Sequence, residues 1–232
     1  VRAARGRFPD DPELAAVEAN VLRTRGDVDA GVAAIEKLRQ KSPDDVNVLV
    51  AVADFYQKAK RFPDAERTLR HAREVEPKNL RILFQLGAVL ERLKRSDAAE
   101  AVFREALGVE PDSAPVLNYL GYMNADRGVR VDEAPQLIEK AISLHPENGA
   151  YLNSLGWALY RLDRVDKAEQ FLRRAVDELK RTVLLVTHNP RDARFADELH
   201  FLKDGRVDLT KSLQKEEVHE ARIHARLEEL GI

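Results

Sequence analysis

The chain has 232 residues, no cysteine, a net charge of −2, and 44% apolar and 34% charged residues. That length can bury a sizeable core in one domain or two small ones. The missing cysteines exclude disulfides and thiolate-held zinc; the near-zero charge gives no general pull toward nucleic acid or anionic membranes; and no apolar run approaches the ~18 residues of a membrane-spanning helix.

In chain order, residues 1–11, "VRAARGRFPDD", read as the end of a preceding helix and its proline turn, and are expected to be frayed or loosely docked. The chain starts at Val1 with no signal peptide, so a piece cut from a longer array is expected. Prolines then punctuate the sequence. Pro43, Pro77, Pro111 and Pro146 each follow an amphipathic stretch, at spacings of 34, 34 and 35, and Pro9 precedes the first by another 34. Proline cannot continue a helix and fixes the entry to the next one. Five units follow at 12–45, 46–79, 80–113, 114–148 and 149–182, the fourth with one extra residue in its turn. Each predicts two helices of about a dozen residues with one apolar stripe apiece. Gly87, Gly121 and Gly156, with Ala65, Ala99 and Ala168, stand where paired helices must approach closely. The first unit is the least regular, with Glu18, Ala19 and Gly31 where larger or better-packing residues are usual.

Leu83, Leu86, Gly87, Leu90, Ala99, Phe103, Ala106 and Pro111 recur in the fourth unit, Leu90 excepted, as Leu117, Leu120, Gly121, Ala134, Ile138, Ala141 and Pro146, and in the fifth, Pro111 excepted, as Leu152, Leu155, Gly156, Leu159, Ala168, Leu172 and Ala175. With this period, residues 12–180 resemble bacterial tetratricopeptide repeats. The resemblance implies a mainly α fold: a right-handed superhelix, or α-solenoid, of five helix pairs, stacked because no unit can bury its own stripe. It also implies a non-catalytic scaffold or adaptor that binds a peptide or protein segment in a concave groove, without cofactor or metal. Neither nucleic-acid binding nor membrane insertion is expected. Residues 117–176 resemble a bacterial family with members among envelope lipoproteins, which leaves cytoplasm and cell envelope both open as compartments.

The first helix of each unit lines such a groove. Units 1 to 3 present mixed polar residues there, including Asn20, Asn47, Asp54, Lys58, Arg81, Gln85, Glu91 and Arg92. Unit 4 presents Asn118, Tyr119, Tyr122 and Asp126; unit 5 presents Asn153, Ser154, Trp157, Tyr160 and Arg161. Three of five tyrosines and the only tryptophan thus crowd one end. Aromatic walls offer contact area at little entropic cost, and Asn118 and Asn153 suit two-pronged bonding to an extended backbone. Arg161 is placed to pair with a ligand carboxylate. Alternatively, Trp157 and Tyr160 pack against whatever follows the fifth unit. Ala16 stands where the dicarboxylate clamp of chaperone-binding tetratricopeptide domains needs a lysine, so that ligand is not expected.

The tail changes character. "RTVLLVTHNPRDARFADELHFLKDGRVDLT" predicts a strand at 182–187, a turn at Asn189-Pro190, a helix at 191–198, a strand at 199–203, a turn at Asp204-Gly205 and a strand at 206–209. Residues 182–208 resemble the C-terminal region of an ABC-transporter ATP-binding subunit, which implies that His188 corresponds to its switch histidine. No phosphate-binding G-x-x-x-x-G-K-[ST] loop, signature motif or magnesium-holding Asp-Glu strand accompanies it, so the chain alone is no ATPase. Segment 181–210 is accordingly expected to be a fusion or chimera, with a short native cap as the other origin and an accessory piece of an ABC system as the alternative function, contacting such a system or self-associating. Residues 211–232 predict an amphipathic helix striped by Val218, Ile223, Leu227 and Leu230 and stopped by Gly231. His219 and His224 are five apart, which does not suit a metal pair on one helix face.

Overall fold

The computed structural model describes residues 12–177, 198–200, 202–203, 206–207, 212–214, 218 and 220–230. Between Pro12 and Asp177, ten helices alternate in five pairs. α1 (Pro12–Thr24) pairs with α2 (Val28–Lys41), α3 (Val46–Lys58) with α4 (Phe62–Val75), and α5 (Leu80–Arg92) with α6 (Ser96–Val109). α7 (Ala114–Arg127) then pairs with α8 (Glu133–Leu144), and α9 (Gly149–Arg161) with α10 (Val165–Asp177).

The turn after each proline supplies the next helix with its cap. Asp45 accepts hydrogen bonds from the amides of Asn47 (2.8 Å) and Val48 (3.2 Å), and Asn79 from those of Arg81 (3.0 Å) and Ile82 (3.3 Å). Asn148 accepts from Ala150 at 3.0 Å. Each such bond satisfies an amide that the helix itself leaves unpaired. Ser113 makes no side-chain cap bond, and there a proline in the first turn starts the helix instead.

Close crossings hold each pair together. A Cβ on Gly121 would meet the carbonyl oxygen of Ala134 at 2.6 Å; one on Gly87 would meet Cε1 of Phe103 at 2.6 Å; one on Gly156 would meet Cδ2 of Leu172 at 2.5 Å. Repeat 1 swaps the small residues. Ala19 lies on α1 and Gly31 on α2, where a Cβ would stand 2.9 Å from both the Ala19 oxygen and Cζ of Phe55. The apparent irregularity of the first unit is therefore where the Phe55 ring of repeat 2 seats.

Between repeats, charged pairs bridge residues about one period apart: Arg95 with Glu66 at 2.8 Å, Arg73 with Glu105 at 2.7 Å, Arg104 with Glu133 at 2.8 Å and Arg127 with Asp97 at 2.6 Å. Pairs like these, with at least one solvent-facing partner, stabilise weakly; the apolar core does the main work. One buried cluster runs from Ala15 to Met123 and a second from Ala114 to Ala168, with Leu107 and Leu137 packed against both. The extra residue of repeat 4 lies in the turn between α7 and α8, which passes through left-handed conformations at Gly128 (φ 66°) and Arg130 (φ 48°).

In the tail, β1 (Glu198–Leu199) pairs antiparallel with β4 (Leu213–Gln214), β2 (Leu202–Lys203) pairs with β3 (Arg206–Val207), and α11 (Glu220–Leu230) follows. Leu213, Val218 and Ile223 are buried there, with Leu199 and Leu227 packed against them. Two expectations need correcting. The strand expected at 199–203 is two short pieces with different partners, and the helix expected from 211 begins at Glu220. Leu213 lies opposite Leu199 and is fully buried in that ladder, so long-range pairing overrides the local helical pattern. The expected terminal segment 1–11, the strand at 182–187, His188, most of the helix at 191–198 and the Asp204-Gly205 turn lie outside the described residues. Among the described residues, no helix is long and apolar enough to cross a membrane, and no cluster of His, Asp and Glu could hold a metal ion.

Candidate functional site

The first helices of repeats 4 and 5, α7 and α9, pack directly on each other. Residues four apart on a helix share a face, so Asn118 stands beside Tyr122 on α7 and Asn153 beside Trp157 on α9. Tyr160 and Arg161 follow within the next turn. Burial separates these residues. Tyr122 is 40% exposed, and Asn153 and Arg161 are exposed, whereas Asn118, Tyr119, Trp157 and Tyr160 are half-buried.

Tyr119 is the most deeply committed to packing. Its ring lies 5.1 Å from that of Phe103 and 5.7 Å from that of Phe84, centroid to centroid. Its hydroxyl points to the Glu91 carboxylate at 3.5 Å. Burial, and then the Glu91 charge, pushes this phenol's pKa up. Burial likewise raises that of Tyr122, reinforced by Asp126 and Glu91 and opposed by Arg161. Both hydroxyls therefore stay protonated and able to donate.

Trp157 and Tyr160 stack obliquely, 5.7 Å apart at 36°. The Arg161 guanidinium lies 5.9 Å above the indole and donates from Nη2 to the backbone carbonyl of Asp126 at 2.6 Å. The Asp126 carboxylate lies 3.8 Å from Nε. Arg161 thus spans the step from repeat 4 to repeat 5, with its guanidinium over the indole. Ser154 is turned back on its own helix, donating to the Ala150 carbonyl at 3.0 Å.

Several polar atoms here are shielded from solvent yet unpartnered: Oδ1 of Asn118, Nε1 of Trp157 and, one repeat away, Oε1 of Gln85. Leaving a buried donor or acceptor unpaired costs ~1–3 kcal/mol, and proteins rarely do so without reason. Asn124 on α7 is a separate case. It is 0% exposed with both amide atoms unpaired, at a place where repeats 1, 3 and 5 carry Leu22, Leu90 and Leu159.

The turn between the helices of every repeat passes through a left-handed residue at the same place: Gly26, Lys60, Lys94, Gly128 and Asp163. Sequence reasoning missed this recurrence. The glycines of repeats 1 and 4 were the available signal, since glycine takes that conformation at least cost.

A family model described as "Tetratricopeptide repeat" matches residues 53–116, 95–146 and 123–180, and a second of the same description matches 22–81. No curated protein matches the chain. Among solved structures, MamA from Desulfovibrio magneticus RS-1, from its residue 41 onward, superposes with a TM-score of 0.60 at 19% identity, covering 73% of this chain and 94% of its own. TTC0263, a thermophilic TPR protein in Thermus thermophilus, superposes at 0.58 with 20% identity, covering 74% and 93%. YrrB, described as a TPR protein with an unusual peptide-binding site, superposes at 0.53 with 18% identity, covering 76% and 90%. At such identities the likeness is one of fold. The first family model alone spans residues 53–180, more than half of the chain, and the protein therefore belongs to the tetratricopeptide repeat family, folded as a right-handed α-solenoid of five helix pairs.

Proposed function

We propose that the protein is a non-catalytic adaptor that holds an extended peptide or protein segment across α7 and α9. The carrying observation is a pair of complementary, shielded and unpartnered atoms on adjacent helices, the acceptor Oδ1 of Asn118 and the donor Nε1 of Trp157. An extended backbone offers N–H and C=O groups in alternation, so one segment can satisfy both once the two side chains turn to face it. The exposed ring of Tyr122 and the indole supply apolar contact, and Asn153, exposed on α9, adds a second amide. Arg161 already bonds the Asp126 carbonyl through Nη2 and faces the Asp126 carboxylate through Nε; its Nη1 is left to meet a ligand carboxylate. The solved TPR protein YrrB, with its peptide-binding site, supports the same use of this fold.

The test begins with peptides selected against the full chain by display and labelled with fluorescein. Anisotropy titration should show Trp157→Ala weakening binding by ~2 kcal/mol or more, about thirtyfold. Trp157→Phe keeps an aromatic ring, though a smaller one, and deletes the donor, so it should cost ~1 kcal/mol or somewhat more, about fivefold, and Asn153→Ala ~1 kcal/mol. Selected peptides that bind Trp157→Ala as tightly as the wild type, with its helical circular dichroism intact, would sink the proposal.

A further inference from the structure

We infer that the turns joining the two helices of repeats 1 to 3 form a basic edge that receives an acidic stretch of the same peptide ligand. The inference rests on the groove reading above. Lys60 and Lys94 occupy the left-handed position of their turns, at φ 57° and 62°, where repeats 1 and 4 place Gly26 and Gly128. A side-chain-bearing residue is held there against its backbone preference. Both lysines are exposed, and among the described residues neither side chain enters an ion pair or hydrogen bond; the same is true of Arg25, beside Gly26.

Their neighbours behave differently. On the same edge Arg61 bonds Asp64 at 2.6 Å, Arg95 bonds Glu66 at 2.8 Å, Arg127 bonds Asp97 at 2.6 Å, and Arg164 bonds Asp132 at 3.3 Å. Nearby carboxylates are engaged too. Asp27 caps α2, Asp54 holds Lys58, and Asp64 also holds Arg67. Among the described residues, the unpaired cations Arg25, Lys60 and Lys94 therefore recur once per repeat along one rim. Arg92 links this rim to the aromatic end: it is exposed, bound to no carboxylate among the described residues, and its charge reaches Tyr119, partly opposing the upward push that burial gives that phenol. Charge complementarity names the occupant. It is a peptide whose acidic stretch lies along repeats 1 to 3 and whose apolar stretch meets Tyr122 and Trp157.

The test uses two labelled peptides, hexaglutamate followed by alternating glycine, leucine and phenylalanine, and the same peptide with glutamine for glutamate. The wild-type chain should prefer the glutamate peptide at low salt and lose that preference as salt screens the charges. The double variant Lys60→Gly, Lys94→Gly restores the residue that repeats 1 and 4 already use, so the fold is kept. It should bind the glutamate peptide about three- to tenfold more weakly, the scale of two exposed ion pairs, with the glutamine peptide unchanged. Trp157→Ala should weaken both peptides alike. Equal binding of the two peptides by the wild type, or unchanged glutamate binding by the double variant, overturns the basic edge and leaves the groove standing. Failure of the wild type to bind either peptide overturns both readings. Lysine-dependent pelleting with phosphatidylserine-containing vesicles, without peptide binding, overturns the peptide as occupant.

Discussion

Replacing Gly121 with alanine perturbs the tightest backbone approach between paired helices. The new Cβ would stand 2.6 Å from the Ala134 carbonyl oxygen and 2.6 Å from Cγ1 of Ile138, closer than the 3.0 Å that real Cβ atoms keep. The oxygen is part of the α8 backbone and cannot rotate away, so α7 and α8 must part. That separation loosens Ile138 and Ala141, both fully buried. Overpacking of this kind costs ~1–3 kcal/mol, and alanine's helix propensity returns roughly 0.5–1 kcal/mol. The net expectation is destabilisation by about 0–2.5 kcal/mol, toward the upper part of that range because the obstructing oxygen is backbone. At Gly156 the obstructing atoms are Cδ2 (2.5 Å) and Cγ (2.6 Å) of Leu172, a side chain that can shift by repacking where a backbone oxygen cannot, so Gly156→Ala should cost less than Gly121→Ala, about 1 kcal/mol. Gly108, on α6, has nothing within 4 Å, and Gly108→Ala should stabilise by ~0.5–1 kcal/mol. Urea unfolding followed by far-UV circular dichroism should therefore rank Gly108→Ala above wild type, then Gly156→Ala, then Gly121→Ala. A Gly121→Ala protein as stable as Gly108→Ala would refute the crossing argument.

Three further outcomes follow from the same structure. Asn124→Leu removes two unpaired buried amide atoms and installs the residue found at that place in repeats 1, 3 and 5; it should stabilise by about 1 kcal/mol in urea unfolding, part of the ~1–3 kcal/mol desolvation cost going into added volume. Lys60→Gly relieves a left-handed lysine, worth about 1–2 kcal/mol, against the greater freedom glycine gives the unfolded chain, so a gain of roughly 0.5–1 kcal/mol is expected, and any loss would mean Lys60 makes a stabilising contact. Hydrogen bonds from Arg104 hold the Glu133 pKa below the usual carboxylate range, against the effect of burial. A depressed carboxyl pKa contributes stability that is present above the unfolded value and lost as pH falls through the folded one. Melting temperature should therefore drop more steeply below roughly pH 4.5 for the wild type than for Glu133→Gln; parallel curves would remove Glu133 from the acid response.

What the sequence determined by itself was local and repeated. The proline period, the small residues at 87, 121 and 156 and the alternating stripes all express contacts within one helix pair. Repetition averages away the noise that obscures a single helix pattern, so the solenoid and its helix pairs were legible without coordinates. Tertiary structure decided whatever depends on a neighbour's exact position. Tyr119 and Tyr122 are three residues apart, yet one is packed between Phe84 and Phe103 and the other lies open, because only the first meets the rings of repeat 3. Arg161 reads in the sequence as a candidate partner for a ligand carboxylate, and its bond to a carbonyl of the preceding repeat is set by the packing of two repeats. In the tail, Leu213 reads as the start of a helix, but its partner Leu199 lies fourteen residues earlier and draws it into a ladder. Helical periodicity is written every three or four residues, whereas cross-strand and inter-repeat partners are chosen by free energy summed over the whole packed surface.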